Sequence, residues 1–114
     1  MDLSMKVLIV DDFATMRGII RNILRQIGFM NISEADDGTT ALIELKKKRF
    51  DLILCDWNMP EMSGLELLYK IKSDDELKDV RFVMVTAETG RDNILEALFS
   101  SKETVQQCRV YIRR

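Results

Sequence analysis

The sequence predicts an α/β domain, a parallel sheet with helices on both faces and right-handed crossovers. Three observations carry that prediction. Short apolar runs alternate with amphipathic segments from Lys6 to Phe99, each crossover having βαβ length. The central run, Asp51-Leu52-Ile53-Leu54-Cys55, shows no in–out alternation, as expected of a strand covered on both faces. Carboxylates follow directly on the first and third runs, Asp11-Asp12 and Asp56. Open parallel sheets bind ligands at that edge.

Each element has its own warrant. Lys6–Val10 is apolar, partly β-branched, and reads as a first buried strand. Residues 13–27 carry Met16, Ile19, Ile20, Ile23, Leu24 and Ile27 at helical spacing, with Arg17, Arg21 and Arg25 assigned to an outer, solvated face and Gly28 as terminator. Asn31–Ala35 is a weaker strand, and Asp36-Asp37-Gly38 a loop and helix cap. Residues 39–48 read as a helix with Ala41, Leu42 and Leu45 inward and Lys46-Lys47-Lys48 at its C-terminal end, favourable to the helix dipole. Pro60 limits the third strand to about Asp56. Residues 61–64 read as loop, and 65–71 as a helix with Leu65, Leu67, Leu68 and Ile71 on its apolar side. Residues 81–86 form a fourth strand ending in the Thr86 hydroxyl, and Asp92 suits the cap of a helix over 93–99.

Composition excludes several function classes. With 114 residues the chain supports one core, and 46% hydrophobic with 32% charged residues argues against disorder. A net charge of −2 offers no footprint for nucleic acid or an anionic membrane. The apolar runs are too short to span a bilayer, and the N-terminus lacks the basic region of a secretory signal. There is no histidine, which removes Ser-His, Cys-His and His-metal chemistry, and Cys55 and Cys108 are too far apart for a zinc or redox pair. A reducing, cytoplasmic setting with structural thiols follows.

What chemistry remains lies with carboxylates and hydroxyls. If the first and third strands are neighbours, Asp11, Asp12 and Asp56 converge. Mutual repulsion then calls for a hard divalent cation, and oxygen-only ligands suit Mg²⁺. A carboxylate beside Mg²⁺ can take up a phosphoryl group, with Thr86 hydrogen-bonding one of its oxygens. Blander readings stand beside these: Asp56 can open a turn before Asn58 and Pro60, and Asp12 can cap the next helix. A cap accounts for one aspartate of the pair and leaves the other unexplained.

Asp11-Asp12-Phe13, then Cys55-Asp56-Trp57-Asn58-Met59-Pro60-Glu61-Met62-Ser63-Gly64, then Val83-Met84-Val85-Thr86-Ala87-Glu88, resemble the receiver domain of bacterial response regulators, most narrowly its chemotaxis (CheY-like) branch. The resemblance covers residues 6–98 of a single domain spanning 1–114. It implies a flavodoxin-like doubly wound sheet of strand order 2-1-3-4-5. It implies Asp56 as phosphoacceptor, Asp11 and Asp12 as the acidic Mg²⁺ pair, and Asn58 as donor of a backbone carbonyl to the metal. Thr86 is similar to the switch hydroxyl, and Asn58 and Glu88 to the residues that tune dephosphorylation. The implied partner is a chemotaxis-type histidine kinase, with the flagellar motor switch protein as output. Such a chain is no enzyme beyond its own phosphorylation and dephosphorylation.

Residues 99–114 depart from the family pattern. The Lys-Pro pair of the fifth strand and the fifth helix are missing. Counted without gaps from Thr86, the lysine position falls on Cys108. A gapped reading, favoured here, puts Tyr111 and Ile112 on a fifth strand and Arg114 near the lysine position; a frayed tail is the alternative. Without the final helix an apolar patch is expected, lowering stability or calling for dimerisation or strand exchange; without strand five, strand four would be an open edge. Two other functions fit less of the chain. A Mg²⁺-dependent phosphohydrolase would need an acid two residues beyond Asp56, where Asn58 stands. A non-signalling interaction module would keep the fold and lose the output surface.

Overall fold

The computed structural model describes residues 2–56, 59, 61–85 and 108–111. Trp57, Asn58 and Pro60, the segment 86–107 with Thr86, Glu88 and the helix expected over 93–99, and residues 112–114 lie outside them.

Strands β1 (Lys6–Val10), β2 (Asn31–Ala35), β3 (Leu52–Asp56), β4 (Arg81–Val85) and β5 (Cys108–Tyr111) form one sheet in the order β2-β1-β3-β4-β5. Every pairing is parallel. Helices α1 (Ala14–Ile27), α2 (Gly38–Lys47) and α3 (Gly64–Lys72) follow the first three strands.

The sheet is covered on both faces, and the side chains of its central strands sort by parity. Val7, Ile9, Leu52, Leu54 and Val83 cluster with Ile20 and Leu24 of α1. Leu8, Val10, Ile53, Cys55, Phe82 and Met84 cluster with Ala41 and Leu45 of α2 and Leu67 and Ile71 of α3. This is why the central runs show no alternation: both faces of each pleat are dry. All five residues of β3 are buried, and each such aliphatic side chain contributes roughly 1.5–3 kcal/mol of transfer free energy.

Helix ends follow local chemistry. Asp37 caps α2 by accepting from the Thr40 N–H at 2.7 Å, as expected of the Asp36-Asp37 turn. Helix α1 ends where Gly28 takes φ 122° and the Gly28 and Phe29 N–H groups close onto Leu24 O at 3.1 and 3.0 Å. Helix α3 begins at Gly64 behind a reciprocal box in which the Glu66 N–H donates to Ser63 Oγ and Glu66 Oε1 accepts from the Ser63 N–H.

Two expectations need correction, and the two readings of the tail can be told apart. Ile19 and Leu65, assigned inward by spacing, are 45% and 39% exposed, because two parallel rows of a helix face suffice to cover the sheet and a third row falls outside. Arg17 and Arg21, assigned to a solvated face, both pair with Glu34 of β2. The ungapped reading of the tail fails: Cys108 opens β5 opposite Phe82, and Tyr111 lies opposite Val85. The edge of β4 is therefore paired, as the gapped strand required.

Candidate functional site

Val10 is registered with Cys55, so β1 and β3 end side by side. Asp11 is the next residue after β1, and Asp56 is the last of β3. Their side chains and that of Asp12 each present a carboxylate oxygen, and these oxygens lie within 4.8 Å of one another. Asp11 and Asp56 are buried, at 2% and 8% exposure. The convergence thus joins residues 44 or 45 positions apart through sheet pairing alone.

Backbone contacts hold the β1–α1 junction in place. The Asp11 N–H extends the β1–β2 ladder by donating to Ala35 O at 3.1 Å. Asp11 Oδ1 accepts from the Phe13 N–H at 2.8 Å. Arg17 Nη1 donates to the Asp11 carbonyl at 2.7 Å. Phe13, not Asp12, precedes the first helical residue, and it makes no side-chain cap. The capping explanation of Asp12 is therefore overturned.

The electrostatics of this corner are unfavourable as they stand. Pairs of carboxylates at such separations repel by about 3 kcal/mol at an effective dielectric near 20. Burial pushes the Asp11 carboxyl above its usual range, and the charge of Asp12 adds to this; the Phe13 N–H and the Arg17 guanidinium work against it. Asp12 Oδ1 is buried with no hydrogen-bond partner. A carboxylate oxygen in that position costs several kcal/mol unless something positive meets it. A small divalent cation among the three groups fits each of these facts, and the all-oxygen donor set suits a hard ion.

Of the residues singled out by sequence, Asp11, Asp12 and Asp56 are brought together; Asn58, Thr86 and Glu88 lie outside the described residues. Sequence reasoning missed the support around them. The Ser63-x-x-Glu66 box has the spacing of a cap within a stretch that reads as loop by composition. Gly38 sits under Met62 of the loop that follows β3; a Cβ there would lie 2.6 Å from Met62 Sδ. Glu34 and Arg17, on β2 and α1, carry no local signal of their meeting.

Comparison with known proteins agrees with this architecture. Residues 7–104 match the family described as response regulator receiver domain, a match that runs past residue 98. The chain is 56% identical over 94 residues to chemotaxis protein CheY-3 of Vibrio cholerae serotype O1, an alignment covering 82% of this chain and 72% of that one. Among solved structures it resembles the chemotaxis response regulator CheY4 of Vibrio cholerae, at 34% identity and a TM-score of 0.68 over 82% of this chain and 77% of the other. It also resembles the receiver domain of the sensor histidine kinase PA1611 from Pseudomonas aeruginosa, solved with a magnesium ion coordinated in the active site cleft, at 27% identity and a TM-score of 0.67 over 82% and 79%. The chain belongs to the response regulator receiver domain family and is closely related to the chemotaxis regulators within it.

Proposed function

We propose that this chain, as one domain over residues 1–114, is a phosphorylatable receiver of chemotaxis type. It accepts a phosphoryl group from a histidine kinase onto Asp56 and relays the event by a conformational switch. Mg²⁺ would be held by Asp11, Asp12, Asp56 and the backbone carbonyl of Asn58. The observation that carries this reading is the convergence of the three carboxylates around a buried Asp12 oxygen that has no donor. The magnesium-bound relative from Pseudomonas aeruginosa supports it.

In the transfer, an Asp56 carboxylate oxygen bonds to phosphorus while the P–N bond of a phosphohistidine breaks. The electron pair of that bond stays with the imidazole nitrogen, which then takes up a proton. When bound, the cation neutralises the carboxylates and the oxygens of the group in flight. Asp11 and Asp12, anchored at the end of β1, keep the acidic face of the site in register with Asp56. Thr86 serves as the hydroxyl that moves toward the phosphoryl group, and Asn58 and Glu88 set how fast it is lost. The product carries about two negative charges at the strand end and biases a two-state equilibrium.

The chain catalyses only its own phosphorylation and dephosphorylation. It works in the cytoplasm; among the described residues no helix is long and apolar enough to cross a membrane. The flagellar motor switch protein is the proposed output partner.

Labelling with acetyl phosphate tests the reading. The chain should gain one phosphoryl group by intact mass in the presence of Mg²⁺ and none after chelation. Asp56→Asn should gain none, and the labelled wild type should bind a motor-switch peptide more tightly than the unlabelled protein. Label that persists in Asp56→Asn, or a wild type that never labels, overturns the assignment.

A further inference from the structure

Among the described residues, the Arg17 side chain stands beside the acidic cluster without belonging to it. Arg17, on the first turns of α1, donates from Nη1 to the Asp11 carbonyl at 2.7 Å and from Nε to Glu34 Oε1 at 3.1 Å. Arg21, one turn on, pairs with the other Glu34 oxygen. The Arg17 side chain is only 18% exposed and Glu34 26%. Pairs of this kind contribute little to stability when solvated, and a cation here opposes a second cation in the cluster. The geometry says what else it does. The carbonyl it grips belongs to the peptide linking Asp11 to Asp12. That peptide follows the last β1–β2 hydrogen bond, from Asp11 N–H to Ala35 O. Its plane sets where the Asp12 side chain leaves the backbone.

We infer that Arg17 is a positioning residue for the cation site, fixing the Asp11–Asp12 peptide and itself held by the Glu34 carboxylate, which Arg21 anchors in turn. This rests on the reading of the aspartate cluster as a Mg²⁺ site. Glu34 also neutralises the guanidinium, so the positional hold comes with reduced repulsion toward the bound ion. A planar fork with two donors in use is required; an ammonium, with one point of charge, does not bridge a carbonyl and a carboxylate in the same way.

The sign of the effect distinguishes position from charge. Removing a positive charge near a cation site tightens binding if Arg17 acts through space, and weakens it if Arg17 acts by holding the peptide. Mg²⁺ affinity is measured by calorimetry on the full chain, with the melting temperature of each metal-free variant recorded alongside. Arg17→Met and Arg17→Lys should each weaken Mg²⁺ binding about 10-fold, the lower end for residues that orient metal ligands. Glu34→Gln should shift affinity the same way. Arg25→Met, the same charge change two turns along α1, should leave it unchanged. Should Arg17→Met fail to fold, Arg17→Lys, which keeps the charge and loses the fork, carries the test. Equal or tighter binding in the Arg17 and Glu34 variants, with the wild type binding normally, overturns this inference alone. A wild type that binds no Mg²⁺ overturns the metal-site reading and this inference with it.

Discussion

At the carboxyl rim of the sheet, the β1–α1 junction and the end of β3 gather three carboxylates and leave Asp12 Oδ1 buried without a donor. At the opposite rim, the turn between α3 and β4 is tied down: Lys72 Nζ donates to the Lys78 and Val80 carbonyls, each at 2.9 Å, and Lys46 pairs with Asp74. The carboxyl rim also holds Glu61 at φ 68°, the only positive φ of a non-glycine among the described residues. Both rims are loops on the same sheet, so the contrast does not come from the architecture. One rim is satisfied by the chain itself. The other concentrates repulsion, burial and backbone strain at the place where a cation would relieve them, and local destabilisation of this kind gathers at functional sites.

The comparison can be broken at either rim or in the core that joins them. The largest effect is expected in the core: Leu54→Ala, on a strand with no exposed residue, should cost about 2–5 kcal/mol by denaturant unfolding, with or without Mg²⁺. A loss that depended strongly on Mg²⁺ would show that the sheet is not independent of the site. At the satisfied rim, Lys72→Met should cost about 2 kcal/mol, since two carbonyls lose a charged donor.

At the acidic rim the sign reverses. Asp11→Asn keeps the acceptor for the Phe13 N–H and removes the charge, so it should stabilise the metal-free chain by on the order of 1 kcal/mol at neutral pH. The pH dependence follows from burial, which raises the Asp11 pKa. The folded state then holds that proton at pH values where the unfolded chain has released it. Stability of the metal-free protein contributed by Asp11 is therefore present at low pH and is lost as pH rises from the ordinary carboxylate range through the raised value. The wild type minus Asp11→Asn stability difference should fall over that window and be flat above it; a difference that rose with pH would refute the sign. The smallest effect is at Glu61, where Glu61→Gly should stabilise by up to about 1 kcal/mol through relief of the left-handed conformation.

Much of this molecule was legible as residues in a row. Lys6–Val10 and Asn31–Ala35 match the strands seen, and Asp37 is the cap that the turn chemistry predicts. Where spacing misled, neighbours decided. Ile19 and Leu65 fit the helical period and are exposed because Ile20 and Leu24 with Met16, Ile23 and Ile27, and Leu67 and Ile71 with Leu68, already cover the sheet. Cys108 falls at the lysine position by counting and opens β5 by pairing, since register is set by the partner strand and not by distance along the chain.

By itself the sequence determined the fold class and the identity of the acidic residues, because periodicity, strand composition and strand-end carboxylates are local properties that no partner needs to supply. Tertiary structure alone decided that Asp11, Asp12 and Asp56 share one corner, that Asp12 Oδ1 lacks a donor there, and that Arg17 reaches both Glu34 and the Asp11 carbonyl. The physical reason is that these facts belong to the register of β1 with β2 and β3, and register brings together groups whose separation in sequence carries no trace of their contact.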